Sequence, residues 1–468
     1  MFNRLSLFLL FPFFAGASAN WITLTTPHFE MFTTNPAKDA AQEIQFFEHA
    51  RWLLLEATPL KTKQDTVVQI IAFRSESEYA PYGFRAGGGA YYLRTFNRDY
   101  IVMQDIDPRH RQIVTHEYTH LLVAAAGLKL PIWLNEGLAE LYSSIESRGG
   151  ETVLGHDPSQ HLTTLGRRQW IDWNALFAVD RNSPYYNESQ KMSVFYAQSW
   201  ALTHMLALGP AYAPRFNNFL QAVSAGQPSV VAFQTVYGKS LGAVDADLKT
   251  YLHQKTLPES VFEINSETAA IQPKIAETSD FEIDFALATL LSAKPSTLVE
   301  ANSKLVALAG QHPERPEPEE SLGYLALQQN RTEEARSHFA LAIERHSSSP
   351  EIIYRYAELQ QDAAAPDSEV MGLLGRVLAI KPDFEEARLD LGLLTAKHSQ
   401  FESALSMLMS LKTIPDDQAF AVYSTIAECN LHCERPDIAR TYAQKAKEAA
   451  KDEDERQQAD DLLKAAQP

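Results

Sequence analysis

The residues of this chain best suited to chemistry are two histidines four apart with a glutamate beside the first: His116-Glu117-Tyr118-Thr119-His120. On a helix, positions i and i+4 lie one above the other on the same face. His116 and His120 would then offer two imidazoles to one zinc ion. Glu117 stands next to that face, where a carboxylate can act as general base on a water. A catalytic zinc wants a third protein ligand and one open position. Glu136 follows His120 with fifteen residues between them. That is room to end one helix, turn at 128–131 and start a second that faces back across the pair. The competing reading is a solvated helix with two surface histidines. The joint fit of Glu136 to the same geometry weighs against it. Glu140, one helical turn after Glu136, is a candidate partner for a ligand histidine, and equally a surface glutamate.

The flanking sequence supplies the helix this motif needs. Asp107 suits the N-cap, Pro108 the first helical position and Gly127 the stop. Upstream, residues 21–34 read as two short strands. Pro36 to Glu56 reads as an amphipathic helix with Ala40, Ile44, Phe47 and Leu54 at helical spacing, and Thr66 to Phe73 as a buried strand. Residues 74–86 read as a loop. Gly87 to Leu93 and Tyr100 to Met103 read as a hairpin, whose glycines would let an extended peptide approach closely. A plain glycine-rich turn is the alternative. Downstream, 150–192 is rich in Gly, Pro, Asn and Asp and reads as loop, with His156 and His161 as loop or surface residues rather than ligands. Met192 to Leu208 is helical, and Ser240 can cap a last helix reaching about Gln254.

The stretch His116 to Glu140 resembles the gluzincin metallopeptidases, in which H-E-x-x-H is followed by W-L-N-E-G and the glutamate before that glycine is the third zinc ligand. Here that segment reads Trp133-Leu134-Asn135-Glu136-Gly137. It is most similar to the peptidase-MA-like group of exported bacterial proteins, over roughly Asn20 to Gln254. The resemblance implies zinc on His116, His120 and Glu136, with Glu117 as general base. The related leucyl/alanyl-type aminopeptidases carry a catalytic tyrosine about sixty residues after the ligand glutamate. Tyr196 falls sixty residues after Glu136, although the Lys and Gly that follow that family's tyrosine are absent, and a core aromatic in a helix with Phe195, Trp200 and Leu202 is the alternative. Those aminopeptidases also carry a glutamate-bearing strand that holds a free amine. The 87–93 stretch has no carboxylate, which disfavours an exopeptidase and favours an endopeptidase.

From 281 on, strand signals vanish and a period appears. Thr289, Gly323, Ala357, Gly392 and Ala427 recur at steps of 34 or 35, and all but Ala357 are followed by small or apolar residues at offsets 12, 16 and 19. That is the tetratricopeptide pattern, with small residues where paired helices touch. An unrelated helical bundle is the alternative. The expected architecture is an α+β zincin-like catalytic domain at 20–256, a linker at 257–280 and an all-α tetratricopeptide solenoid of about five degenerate repeats at 281–468.

At 468 residues the chain is too long for one ordinary core, and its net charge of −18 argues against nucleic acid or an anionic membrane as partner. Residues 1–19 read as a signal peptide, with Arg4, an apolar run from Leu5 to Phe14 and an Ala17-Ser18-Ala19 cleavage site. The expected product is exported, periplasmic or secreted. Cys429 and Cys433 lie four apart on a helix and read as two helix side chains rather than a bridge. Three functions stay open: a zinc endopeptidase whose repeats recruit a protein substrate or partner, a tetratricopeptide adaptor with an idle zincin domain, and a zinc hydrolase of a non-peptide amide.

Overall fold

The computed structural model describes residues 21–58, 67–83, 89–95, 98–148, 151–156 and 159–467. The expected signal peptide at 1–19 lies outside the described residues, as do Gly87 and Gly88 of the glycine run. The chain divides into two units, Met1–Ile283 and Asp284–Pro468.

The first unit is built on a mixed sheet. Its strands are β1 (Ile22–Thr25), β2 (Phe29–Thr33), β3 (Val68–Ala72), β4 (Ala90–Arg94) and β5 (Asp99–Met103), with a late strand, Lys274–Glu277, completing the order β4-β5-β3-β2-β1 at the far edge. β2, β3 and β5 run parallel, and β3 and β5 are buried along their whole length. Parallel neighbours need a crossover, and helix α1 (Ala37–Ala57) makes the one between β2 and β3. β4 is antiparallel to β5 and has no strand on its other side among the described residues.

Two helices follow β5: α2 (Pro108–Ala125) and α3 (Ile132–Ser143). Asp107 caps α2 by accepting from the Arg109 amide, and Pro108 occupies its first turn. Gly127 ends it at φ 70°, with its amide on the Ala124 carbonyl and that of Leu128 on Val123. Such a left-handed stop suits glycine, which carries no Cβ to clash. Arg111 of α2 bonds the buried Glu43 of α1 and lies 5.0 Å over Phe46, which fixes α2 against the helix beneath it.

The segment expected as loop at 150–192 instead carries a strand, β6 (Glu151–Leu154), and helices α4 (Ser159–Arg167), α5 (Trp173–Phe177) and α6 (Pro184–Asn187), before α7 (Ser189–Leu208). Asp172, one of the residues that suggested loop, is the N-cap of α5, and Ser183 is that of α6. Capping residues and turn residues are the same residue types, so composition alone confuses them. A short helix, Glu76–Tyr79, likewise interrupts the loop expected at 74–86.

Residues 257–280 are not a linker. Ser260–Glu263 (β7) pairs with β6, and Lys274–Glu277 (β8) pairs with β1 in the register Ile22↔Glu277. All four residues of β8 are exposed. These edge strands are held by backbone hydrogen bonds and bury little, so no hydrophobic pattern marked them.

The second unit is a run of antiparallel helix pairs of the tetratricopeptide type. After the helices Asp280–Ser292 and Leu298–Gln311, Glu317–Gln328 pairs with Thr332–Glu344, Pro350–Asp362 with Asp367–Ile380, Glu385–Lys397 with Phe401–Leu408, and Ala419–His432 with Pro436–Ala449. A Cβ on Gly323 would lie 2.3 Å from the Phe339 ring, and one on Gly392 2.7 Å from Leu408, so the small residues mark where the helices touch. Asn330, Ala364, Ser399 and Glu434 take positive φ at successive intra-pair turns and repeat the period. The pair carrying Ala357 buries Val370, Leu374 and Val377, at offsets 13, 17 and 20. Its turn is one residue longer than the three-residue turns after Gln328, Lys397 and His432, which hid this repeat from fixed-offset alignment. Cys429 is buried and both cysteines are free. Among the described residues no helix is long and apolar enough to cross a membrane.

Candidate metal centre

α2 and α3 pack face to face and bring three ligand atoms together. His116 Nε2 and His120 Nε2 are 3.2 Å apart, and Glu136 Oε2 is 3.3 Å from the first and 3.4 Å from the second. These three residues form a candidate ion-holding group among the described residues. Zinc bonds of 2.0–2.1 Å in a tetrahedron require ligand–ligand edges of about 3.3–3.4 Å, whereas the same bonds in an octahedron require about 2.9 Å. The triangle therefore matches one face of a tetrahedron. Two imidazoles and one carboxylate are also the donor set of catalytic zinc with an open fourth position.

The ring tautomers agree with this reading. His116 Nδ1 donates to Glu140 Oε1 at 3.3 Å, and His120 Nδ1 donates to Asn135 Oδ1 at 3.2 Å. Each ring thereby turns an Nε2 lone pair toward the other. Facing lone pairs repel unless a proton or a cation stands between them. Glu136 Oε2 is buried with no hydrogen-bond partner, an expensive state for a carboxylate oxygen unless a cation meets it. Among the described residues Glu136 and Glu140 form ion pairs only with histidines, and no Lys or Arg offsets their charge. In the metal-free protein the His116 proton does so. Burial works to lower the pKa of His116, but contacts with Glu136 and Glu140 outweigh it and raise the ring to about 10. Burial likewise works to raise both carboxyls, and their histidine contacts bring each down to about 2.

Glu117 lies half-buried beside the triangle, and its carboxylate has no hydrogen bond or ion pair among the described residues. Tyr196 lies on α7 with its ring edge-on to His116, centroids 6.1 Å apart. Its hydroxyl is likewise without a partner among the described residues. Burial raises its pKa, helped by Glu136, so it stays a donor. Thus His116, Glu117, His120, Glu136, Glu140 and Tyr196 all meet at one place. His156 does not: it is exposed and pairs with Arg148 and Glu259.

Three residues at the site went unrecognised in the sequence. Asn135 was visible only as part of the motif around Glu136. His161, read as a loop or surface residue, sits on α4 and bonds Glu140 Oε2 at 2.8 Å. Tyr186 of α6 donates to Glu136 Oε1 at 3.0 Å. Neither of these two has a spacing signal, because each comes from a different short helix.

The second unit defines a class of its own, the helical-hairpin repeat proteins. No family model and no curated protein matches the chain. Among solved structures it is similar to YrrB, a tetratricopeptide protein with an unusual peptide-binding site, at 16% identity over 39% of this chain and 92% of that one, with a TM-score of 0.33. It is also similar to MamA (16% identity, 36% and 92% covered, TM-score 0.29). PilW, a type IV pilus biogenesis factor, is a third (18% identity, 40% and 86% covered, TM-score 0.28). The repeat assignment rests on the period and packing of the helices themselves rather than on these likenesses.

Proposed function

We propose that the first unit is a zinc metallopeptidase of the gluzincin, peptidase-MA-like kind with a zincin-like fold, and that the repeats bring it a protein substrate or partner. The observation that carries this reading is the triangle of His116, His120 and Glu136 beside Glu117, whose carboxylate has no partner among the described residues. Bound there, zinc would supply a Lewis acid for a carbonyl oxygen and lower the pKa of a water. Glu117 takes a proton from the attacking water and returns it to the leaving amine. Tyr196 donates its hydroxyl hydrogen to the developing oxyanion. β4, which has no strand on its outer edge among the described residues, offers backbone groups to an extended substrate. The described residues Gly89 to Thr95 carry no carboxylate to hold a free amine, which favours an endopeptidase. The signal-like residues 1–19 favour an exported, periplasmic or secreted protein.

Elemental analysis of the purified protein and of His120→Ala tests the centre: one zinc per chain in the first and a large loss in the second is expected. Equal zinc in both would remove the assignment. Digestion of casein or a peptide library then separates proteolysis from hydrolysis of another amide.

A second reading has its own support in the helical pairs. As an adaptor, the chain would bind a partner through its repeats while the first unit stays idle. A cavity of about 370 Å³ lined by Tyr354, Arg355, Glu358 and Asp390 lies on the repeats. The adaptor reading predicts that Glu117→Gln changes no activity because there is none to change. The peptidase reading predicts metal retained and hydrolysis lost by at least about 10²-fold.

A further inference from the structure

Resting on that metal centre, we infer that Tyr186 and His161 are positioning residues that hold the two glutamates of α3 in place for the ion. Glu136 and Glu140 lie four apart on α3 and share a face. Each carboxylate is divided in the same way, one oxygen inward and one outward. Glu136 turns Oε2 to the two Nε2 atoms and gives Oε1 to the Tyr186 hydroxyl. Glu140 turns Oε1 to His116 Nδ1 and gives Oε2 to His161 Nε2. A carboxylate with both oxygens free can rotate or chelate through both. One with its outer oxygen held presents a single oxygen in a single direction. Tyr186 therefore sets Glu136 as a one-oxygen ligand, and His161 orients the carboxylate that orients His116.

Both outer groups are themselves supported. The Tyr186 ring stands edge-on to Phe195 at 6.2 Å, and the His161 ring lies against Trp200 at 5.4 Å. Phe195 and Trp200 are fully buried residues of α7, so each outer partner leans on a side chain that cannot move. The segment from α4 to α6, which supplies no ligand, thereby completes the centre.

The test uses the full chain. Zinc affinity is measured by competition with a chromophoric chelator, and ligand geometry by the visible spectrum of the cobalt-loaded protein. Tyr186→Phe removes one oxygen atom, and His161→Leu removes the outer partner of Glu140. Each is expected to weaken zinc binding about 10–100-fold and to alter the cobalt spectrum, with the melting temperature of the metal-free protein close to wild type. His161→Gln, which keeps an N–H donor, should regain most of the affinity. Should His161→Leu fail to fold, Tyr186→Phe decides. Affinities within twofold of wild type for the folded variants, with an unchanged cobalt spectrum, overturn the inference and leave the metal centre intact. A wild-type protein that binds no zinc overturns the centre itself.

Discussion

Gly137 follows the proposed third ligand and is the point where α3 meets α7. A Cβ built on it would lie 2.2 Å from Thr203 Oγ1 and 2.6 Å from the Ser199 carbonyl oxygen. The threonine hydroxyl can rotate away. The carbonyl cannot, because it belongs to the backbone of a buried stretch of α7. An ordinary Cβ–O contact is about 3.4 Å, so Gly137→Ala must push the helices apart by about 0.8 Å at the crossing. Overpacking of this kind costs about 1–3 kcal/mol, and alanine's better helix propensity returns about 1 kcal/mol. The net loss of stability is therefore at most about 2 kcal/mol, a fall in melting temperature of several degrees. The site should suffer more than the fold. α3 carries Glu136 and Glu140, while α7 carries Tyr196 and the rings behind Tyr186 and His161. A shift of 0.8 Å exceeds the roughly 0.5 Å within which a working site must be held. Calorimetric melting, zinc competition and casein digestion read the three consequences. We expect a folded protein, weaker zinc binding and hydrolysis down at least about tenfold. Wild-type melting together with wild-type zinc affinity would refute the reasoning, since α7 would then be free to give way.

Three further outcomes are expected. Glu117→Gln should keep its zinc and its melting temperature while losing hydrolysis, as judged by elemental analysis beside a peptide digest. His204 is buried, accepts from the Tyr251 hydroxyl and donates to the Gly155 carbonyl, and burial lowers its pKa from an ordinary 6.5 to about 4. A group depressed in this way protonates more readily in the unfolded chain, so its contribution is whole above about pH 6.5 and is lost as pH falls toward 4, by about 3 kcal/mol. Urea unfolding across that window should show a steeper loss in wild type than in His204→Gln; parallel curves would reject it. Finally, a chain ending at residue 256 lacks β7 and β8 and leaves the edges of β6 and β1 bare. It should melt lower by circular dichroism than one ending at 283, and equal melting would show that the two edge strands add nothing.

The sequence alone determined whatever local spacing and composition carry. His116 and His120 four apart, Asp107-Pro108 before them and Gly127 after them dictate a helix with both rings on one face, because helical geometry is local. Glu136 and Glu140 share a face for the same reason. The step of 34 or 35 in the repeats is also local, since each helix pair buries its small residues against its own partner. The tertiary structure alone decided which distant groups meet these faces. Tyr186 and His161 come from short helices, the first capped by Ser183, a residue type that also marks turns, and only packing against Phe195 and Trp200 brings them to the glutamates. The strands at 260–263 and 274–277 were illegible because an exposed edge strand is specified by the backbone of its neighbour, β6 or β1, and not by its own side chains. The extra turn residue after Asp362 shows the same limit in the repeats. It moves the buried positions by one, and only contact between the two helices shows which residues took the place.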